Sequence, residues 1–153
     1  IQITSPPAPE NHGYKIKRVD LEGELVIDAV AENVAGTQRG TVLSKNGIQV
    51  STIEHAMAAL YAYEIDNCLI EVNAPEFPIL DGSSRFFSEE IQKAGVVEQN
   101  APKDYYIVKH KIEVKDEETG SSLIILPDDK FSVNVLISFN SSVLPAHSCL
   151  SAK

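Results

Sequence analysis

The chain has 153 residues, 43% of them hydrophobic, which is enough for one compact core or two small ones. Lys and Arg number 13 against 22 Asp and Glu, for a formal net charge of −9, so no basic surface is available to neutralise phosphates and nucleic acid is excluded as the main partner. Apolar runs such as Leu123–Leu126 and Cys68–Ile70 are far below the roughly 18 residues of a bilayer crossing, and no basic-then-apolar leader opens the chain, so neither a transmembrane segment nor an export signal is expected.

Ser5-Pro6-Pro7-Ala8-Pro9-Glu10-Asn11 cannot continue a sheet ladder, because proline has no N–H to donate, and reads as a loop. Tyr14–Val19 and Glu24–Val30 lean to strand on either side of a Glu22-Gly23 turn. Thr41–Leu43 and Gly47–Val50 form a second hairpin through Lys45-Asn46-Gly47, the strongest turn signal in the chain. The first fifty residues therefore read as antiparallel β-structure. The period then changes: Ile53, Met57, Leu60 and Tyr61 fall on one stripe of an α-helix over 52–64. Asp66-Asn67 breaks it, and Cys68–Val72 is apolar enough for a central strand. After the rigid Ala74–Pro78 connection, Asp81–Ser84 turns the chain with Ser84 as cap. Phe86, Phe87, Ile91 and Ala94 then make a second helical stripe, closed by Gly95.

Glu98–Asp104 is polar and reads as a linker, dividing the chain into a domain at 1–99, a linker at 100–104 and the start of a second domain at 105–153. Val108, His110, Ile112 and Val114 alternate with Lys109, Lys111, Glu113 and Lys115, and Phe131, Val133, Val135, Ile137 and Phe139 alternate as cleanly. With Ser122–Leu126 these make strands only, the opening of a second α+β unit whose helices lie outside the chain. The start at Ile1 and the stop at Lys153 just after a strand-like run read as a fragment. Cys68 and Cys149 are far apart with no CxxC spacing, so neither a disulfide framework nor a thiolate metal site is expected, and a reducing cytosolic compartment is the default.

The stretch richest in chemistry is Ser51-Thr52-Ile53-Glu54-His55. Ser51 three residues before Glu54 has the spacing of a helix capping box. His55, at about 100° per residue, lies opposite the Ile53, Met57, Leu60, Tyr61 stripe. Its neighbours on that face are Ala58, Ala59 and Ala62, so something is expected to pack closely over it. A neutral imidazole there can ligate a metal, with Glu54 reaching a metal-bound water as general base. His110, sharing a strand face with Val108, Ile112 and Val114, reads as a half-buried structural residue, and His12 and His147 as solvated. Asp81 reads as a turn aspartate bonding backbone N–H groups, or as a carboxylate orienting a site side chain. Glu71 and Glu76 read as surface acids, and the Arg39-Gly40 loop is a weaker candidate for facing a substrate.

The order of Pro-Ala-Pro-Glu-Asn-His-Gly, Arg-Val-Asp-Leu, Arg-Gly-Thr-Val-Leu, Val-Ser-Thr-Ile-Glu-His, Glu-Ile-Asp-Asn and Ala-Pro-Glu-Phe-Pro-Ile-Leu-Asp-Gly-Ser closely resembles the zinc-dependent UDP-3-O-acyl-N-acetylglucosamine deacetylases of lipid A biosynthesis, from about residue 6 to about residue 140. The resemblance implies a cytoplasmic hydrolase of Gram-negative bacteria that removes acetate from the nitrogen of a UDP-linked acylated glucosamine. It implies an α+β fold of two similar domains, each a small mixed or antiparallel sheet packed on two helices, with the site between their helical layers. By position His55 matches a zinc ligand and Glu54 the general base, while Arg39 and Gly40 match a loop beside the substrate channel. Some members are fused to a hydroxyacyl carrier-protein dehydratase. The chain lacks the family's opening Gly-Val-Gly-Leu-His-Thr-Gly segment and the later His-Lys-Gly-x-x-Asp segment that carries the other zinc ligands, so it is expected to bind zinc poorly and to be inactive by itself. Ser142–Cys149 departs from the family pattern. The reading from a different class is a non-catalytic α+β interaction domain, in which Ser51 and Glu54 merely cap a helix.

Overall fold

The computed structural model describes residues 2–6, 8–138, 143 and 147–152. They form two compact units, Ile1–Lys103 and Asp104–Lys153, and the class is α+β, with two helices and several small sheets. In the first unit, β1 (Ile3–Thr4), β2 (Tyr14–Arg18), β3 (Val26–Asp28) and β7 (Cys68–Val72) make a four-stranded sheet in the order β1-β7-β2-β3. β7 is internal, parallel to β2 and antiparallel to β1. A second, antiparallel sheet holds β4 (Val34–Gly36), β5 (Val42–Lys45) and β6 (Ile48–Ser51) in that order.

One core serves both sheets and the helices. Ile16, Ile27, Cys68, Ile70 and Val72 come from the first sheet and Leu43, Ile48 and Val50 from the second. Helix α1 (Glu54–Ala62) adds Ala56 and Leu60, and the chain leading into it adds Ile53. Helix α2 (Arg85–Ala94) packs beside α1 and lends Phe87 and Ile91 at the margin. Phe77 is only 1% exposed and plugs the core from the otherwise extended connection after β7. The alternation Cys68, Ile70, Val72 inward against Leu69 and Glu71 outward is the two-residue period of a strand with one covered face.

Several expectations change. The chain ahead of the proline loop contributes β1, because Ile3 and Thr4 pair with Val72 and Glu71. The second strand is shorter than Glu24–Val30: the ladder to β2 runs over Val26–Asp28, with one further bond at each end, from the Arg18 N–H to the Leu25 carbonyl and from the Ala29 N–H to the Tyr14 carbonyl. A 3-10 turn (Ala31–Asn33) and β4 follow where no element was expected. Helix α1 is shorter than 52–64 because Thr52 and Glu64 carry positive φ of 60° and 57°, a left-handed conformation that no α-helix continues through. Its inward stripe is also rotated: Tyr61 is exposed, and Ala56, Ala59 and Leu60 face the core. Helix α2 ends as expected, with Gly95 at φ 79° donating its N–H to the Ile91 carbonyl at 2.9 Å. Ser84 stands at its N-cap without using its side chain. The Ser83 hydroxyl accepts the Arg85 N–H instead, at 3.2 Å.

The polar stretch near residue 100 is tied to the first unit: Gln99 bonds Asn67 and Ala8, Asn100 bonds Glu10, and Lys103 pairs with Asp66. In the second unit, β8 (Ile112–Lys115) pairs with β9 (Ser122–Ile125), and β10 (Ser132–Ile137) with β11 (His147–Ala152). His110 is exposed and precedes β8 rather than lying in it, because the ladder begins at Ile112↔Ile125. His147, expected in a polar tail, heads β11 and pairs with Ile137. Phe139, the last position of the expected alternation, and Ser142 and 144–146 of the divergent end lie outside the described residues. Cys68 is a buried free thiol, and burial pushes its ionisation up. No helix among the described residues is long and apolar enough to cross a membrane.

Candidate functional site

The site is built where β6 hands over to α1. Ser51 closes β6, opposite Val42 of β5, and Thr52 turns the chain through its positive φ. Ile53 is the N-cap and makes no side-chain cap bond. Glu54 and His55 thus stand in the first helical turn, both half-buried.

The capping-box expectation is overturned here. Ser51 lies inside the strand, its hydroxyl 3.4 Å from the Pro75 carbonyl. The Glu54 carboxylate turns instead to the start of β5, where Oε2 accepts the Thr41 N–H at 2.9 Å. Thirteen residues separate this donor and acceptor, so the bond is tertiary and not part of a helix cap.

Gly40 completes this contact. Its φ is +155°, and a Cβ added there would stand 3.2 Å from Glu54 Oε1 and 3.5 Å from Thr52 Oγ1. That spacing is tighter than ordinary van der Waals contact, so a side chain at position 40 would require the Glu54 carboxylate to give by a few tenths of an ångström. The loop brings Gly40 and Thr41 backbone against Glu54, while the side chain of Arg39 is exposed.

His55 makes no hydrogen bond among the described residues. Of the three alanines expected on its side of α1, Ala59 is fully buried while Ala58 and Ala62 are exposed, so the first unit covers that side of the helix only in part. Among the described residues no group of three or more His, Cys, Asp or Glu is placed to hold a metal. The donor set here amounts to one imidazole, which fits a single ligand position and not a complete site.

The remaining candidates lie apart. Asp81 accepts from the Ser83 N–H (3.1 Å) and hydroxyl (2.9 Å) and pairs with Arg85 at 3.3 Å, so its bonds run to neither Glu54 nor His55. The Ser83 hydroxyl, foremost, holds its carboxyl below the usual range. His12 Nδ1 sits 3.1 Å from the Gly13 carbonyl. Glu71 accepts the Thr4 hydroxyl on the first sheet. Glu76, read as a plain surface acid, accepts the Thr52 hydroxyl at 2.8 Å. Thr52 and Glu76 are the site neighbours that the sequence did not disclose. The signal available was Gly40, a glycine at a place of close approach.

Residues 1–152 match the family model described as LpxC: UDP-3-O-acyl N-acetylglycosamine deacetylase. A protein of Bacteroides thetaiotaomicron named "Bifunctional enzyme LpxC/FabZ" is 63% identical over 95% of this chain and 32% of its own length. One of the same name from Porphyromonas gingivalis is 65% identical over 94% of this chain and 31% of its own. A UDP-3-O-acyl-N-acetylglucosamine deacetylase of Hahella chejuensis is 39% identical over 97% of this chain and 48% of its own length. The chain thus spans about a third to a half of the length of these curated relatives. With its family model matched over nearly every residue, the chain belongs to the UDP-3-O-acyl N-acetylglycosamine deacetylase family.

Proposed function

We propose that this chain contributes the general base, Glu54, and one metal ligand, His55, to a zinc-dependent deacetylase. The enzyme removes acetate from UDP-3-O-(3-hydroxyacyl)-N-acetylglucosamine in the cytoplasm of a Gram-negative bacterium, the committed step of lipid A biosynthesis. The observation that carries this reading is the pair itself. Glu54 is anchored through one oxygen to the Thr41 N–H, and His55 stands beside it with its ring free of hydrogen bonds among the described residues. The remaining zinc ligands come from outside this chain.

In amide hydrolysis a water oxygen adds to the acetyl carbonyl carbon, the C–N bond breaks, and the amine nitrogen gains a proton as acetate leaves. Zinc, when bound, supplies Lewis acidity that makes a coordinated water nucleophilic near neutral pH. The chain's own part is to hold a carboxylate in one orientation: the Thr41 N–H occupies Oε2 and leaves Oε1 to take the proton of the attacking water. The absence of a side chain at Gly40 keeps that oxygen in place. The Arg39-Gly40 loop then lies at the edge of the substrate channel, and Asp81 orders the turn before α2.

The test uses the full-length enzyme. His55→Ala is expected to lose bound zinc, whereas Glu54→Ala keeps zinc and loses acetate release by about 10²–10⁴-fold, the usual worth of a general base. Full metal content in the His55 variant overturns the ligand assignment, and undiminished turnover in the Glu54 variant overturns the base.

A further inference from the structure

Thr52 combines three features that have no role in the chemistry above. It is buried, its φ is +60°, and it is β-branched, a combination that costs free energy and persists only where the surroundings over-determine it. The over-determination is visible. Its hydroxyl donates to Glu76 Oε1 at 2.8 Å across 24 residues of sequence. Glu76 is itself fixed: the Ser51 N–H bonds the Pro75 carbonyl and the Phe77 N–H bonds the Ser51 carbonyl, each at 3.0 Å. The buried Phe77 ring anchors that strap in the core.

On its other side Thr52 faces the loop that holds Glu54. A Cβ added at Gly40 would lie 3.5 Å from Thr52 Oγ1 and 3.7 Å from Thr52 Cα, with Glu54 Oε1 3.2 Å away. Thr52 and Glu54 Oε1 thus border the space that Gly40 leaves open, beside the Thr41 N–H that grips Glu54, and the turn at Thr52 aims the start of α1 that carries Glu54.

We infer that Thr52 and Glu76 act as a positioning pair, which locks the left-handed turn before α1 and thereby sets where the Glu54 carboxylate stands. The pair touches no reacting atom, and the inference rests on the reading of Glu54 as general base. Misplacing a reacting group by about 1 Å costs up to about a hundredfold in rate.

The experiment measures acetate release, zinc content and amide hydrogen exchange in the full-length enzyme. Thr52→Val keeps the branching and removes the hydroxyl. It is expected to lower kcat by about tenfold to a hundredfold, with KM and zinc content held and exchange at the Thr41 amide accelerated. Glu76→Ala, at an exposed position, is expected to do the same, and the double variant to be no slower than either single one. Thr52→Ser and Glu76→Gln, which retain a donor and an acceptor, are expected to recover most of the loss. Wild-type kcat in Glu76→Ala, or losses that multiply in the double variant, overturns the inference even where Thr52→Val does not fold. Glu54→Ala run alongside separates the two readings. If it abolishes turnover while the pair variants do not, the positioning role alone falls; if it leaves turnover intact, the general-base reading falls first.

Discussion

Strands β2 and β10 carry similar two-residue alternation, yet Ile16 of β2 is wholly buried while every residue of β10 is exposed. The first unit gives its sheets something to bury against: α1, α2 and Phe77 close one core over both. The second unit, taken by itself, holds two two-stranded sheets and no helix among its described residues. Alternation states which face of a strand is apolar, and only a second layer turns that face into a core.

The sharpest way to break this contrast is a pair of truncations followed by urea unfolding. Phe77→Ala is expected to destabilise the first unit by about 3–5 kcal/mol, as loss of a buried ring does. Val135→Ala on β10 is expected to cost under about 0.5 kcal/mol, as at an exposed position. Equal costs would mean that β10 is covered after all.

A smaller effect separates charge from packing within the first unit. Arg18 is 6% exposed; its guanidinium donates to both Asp20 oxygens at 2.7 and 2.6 Å and to the Gln49 carbonyl at 2.9 Å. Arg18→Ala leaves that carbonyl unpartnered and is expected to cost about 1–3 kcal/mol. A neutral result would show water replacing the guanidinium.

The smallest effect is a pH dependence confined to acid. Hydrogen bonds from Lys15 and then Lys45 hold the Asp28 carboxyl down at about 2, against 3.8 for the ordinary group. A folded value below the unfolded one means that this stabilisation is complete above 3.8 and is lost as pH falls through about 2. Asp28→Asn is expected to flatten the fall in urea midpoint over that window and to leave the slope elsewhere unchanged.

Legibility varied with the range of the interaction. The internal position of β7 and the Gly95 stop of α2 were readable because apolar runs and glycine punctuation are local signals. The α1 stripe was readable only in part: periodicity placed Tyr61 inward, whereas packing against α2 and the sheets selected Ala56, Ala59 and Leu60. Ser51 and Glu54 have the spacing of a cap, yet the chain between them bends the wrong way to make one. His110 alternates with its neighbours, but among the described residues no strand pairs with it.

By itself the sequence determined the α+β class, the family and the adjacency of Glu54 and His55, because composition, period and motif are properties of neighbouring residues. The tertiary structure decided the rest of the site: the left-handed turn at Thr52, the grip of Thr41 on Glu54 and the strap from Glu76. Those contacts join residues 13 and 24 positions apart. They exist only once two sheets and a helix share a core, since closing such loops costs entropy that burial of the core must offset.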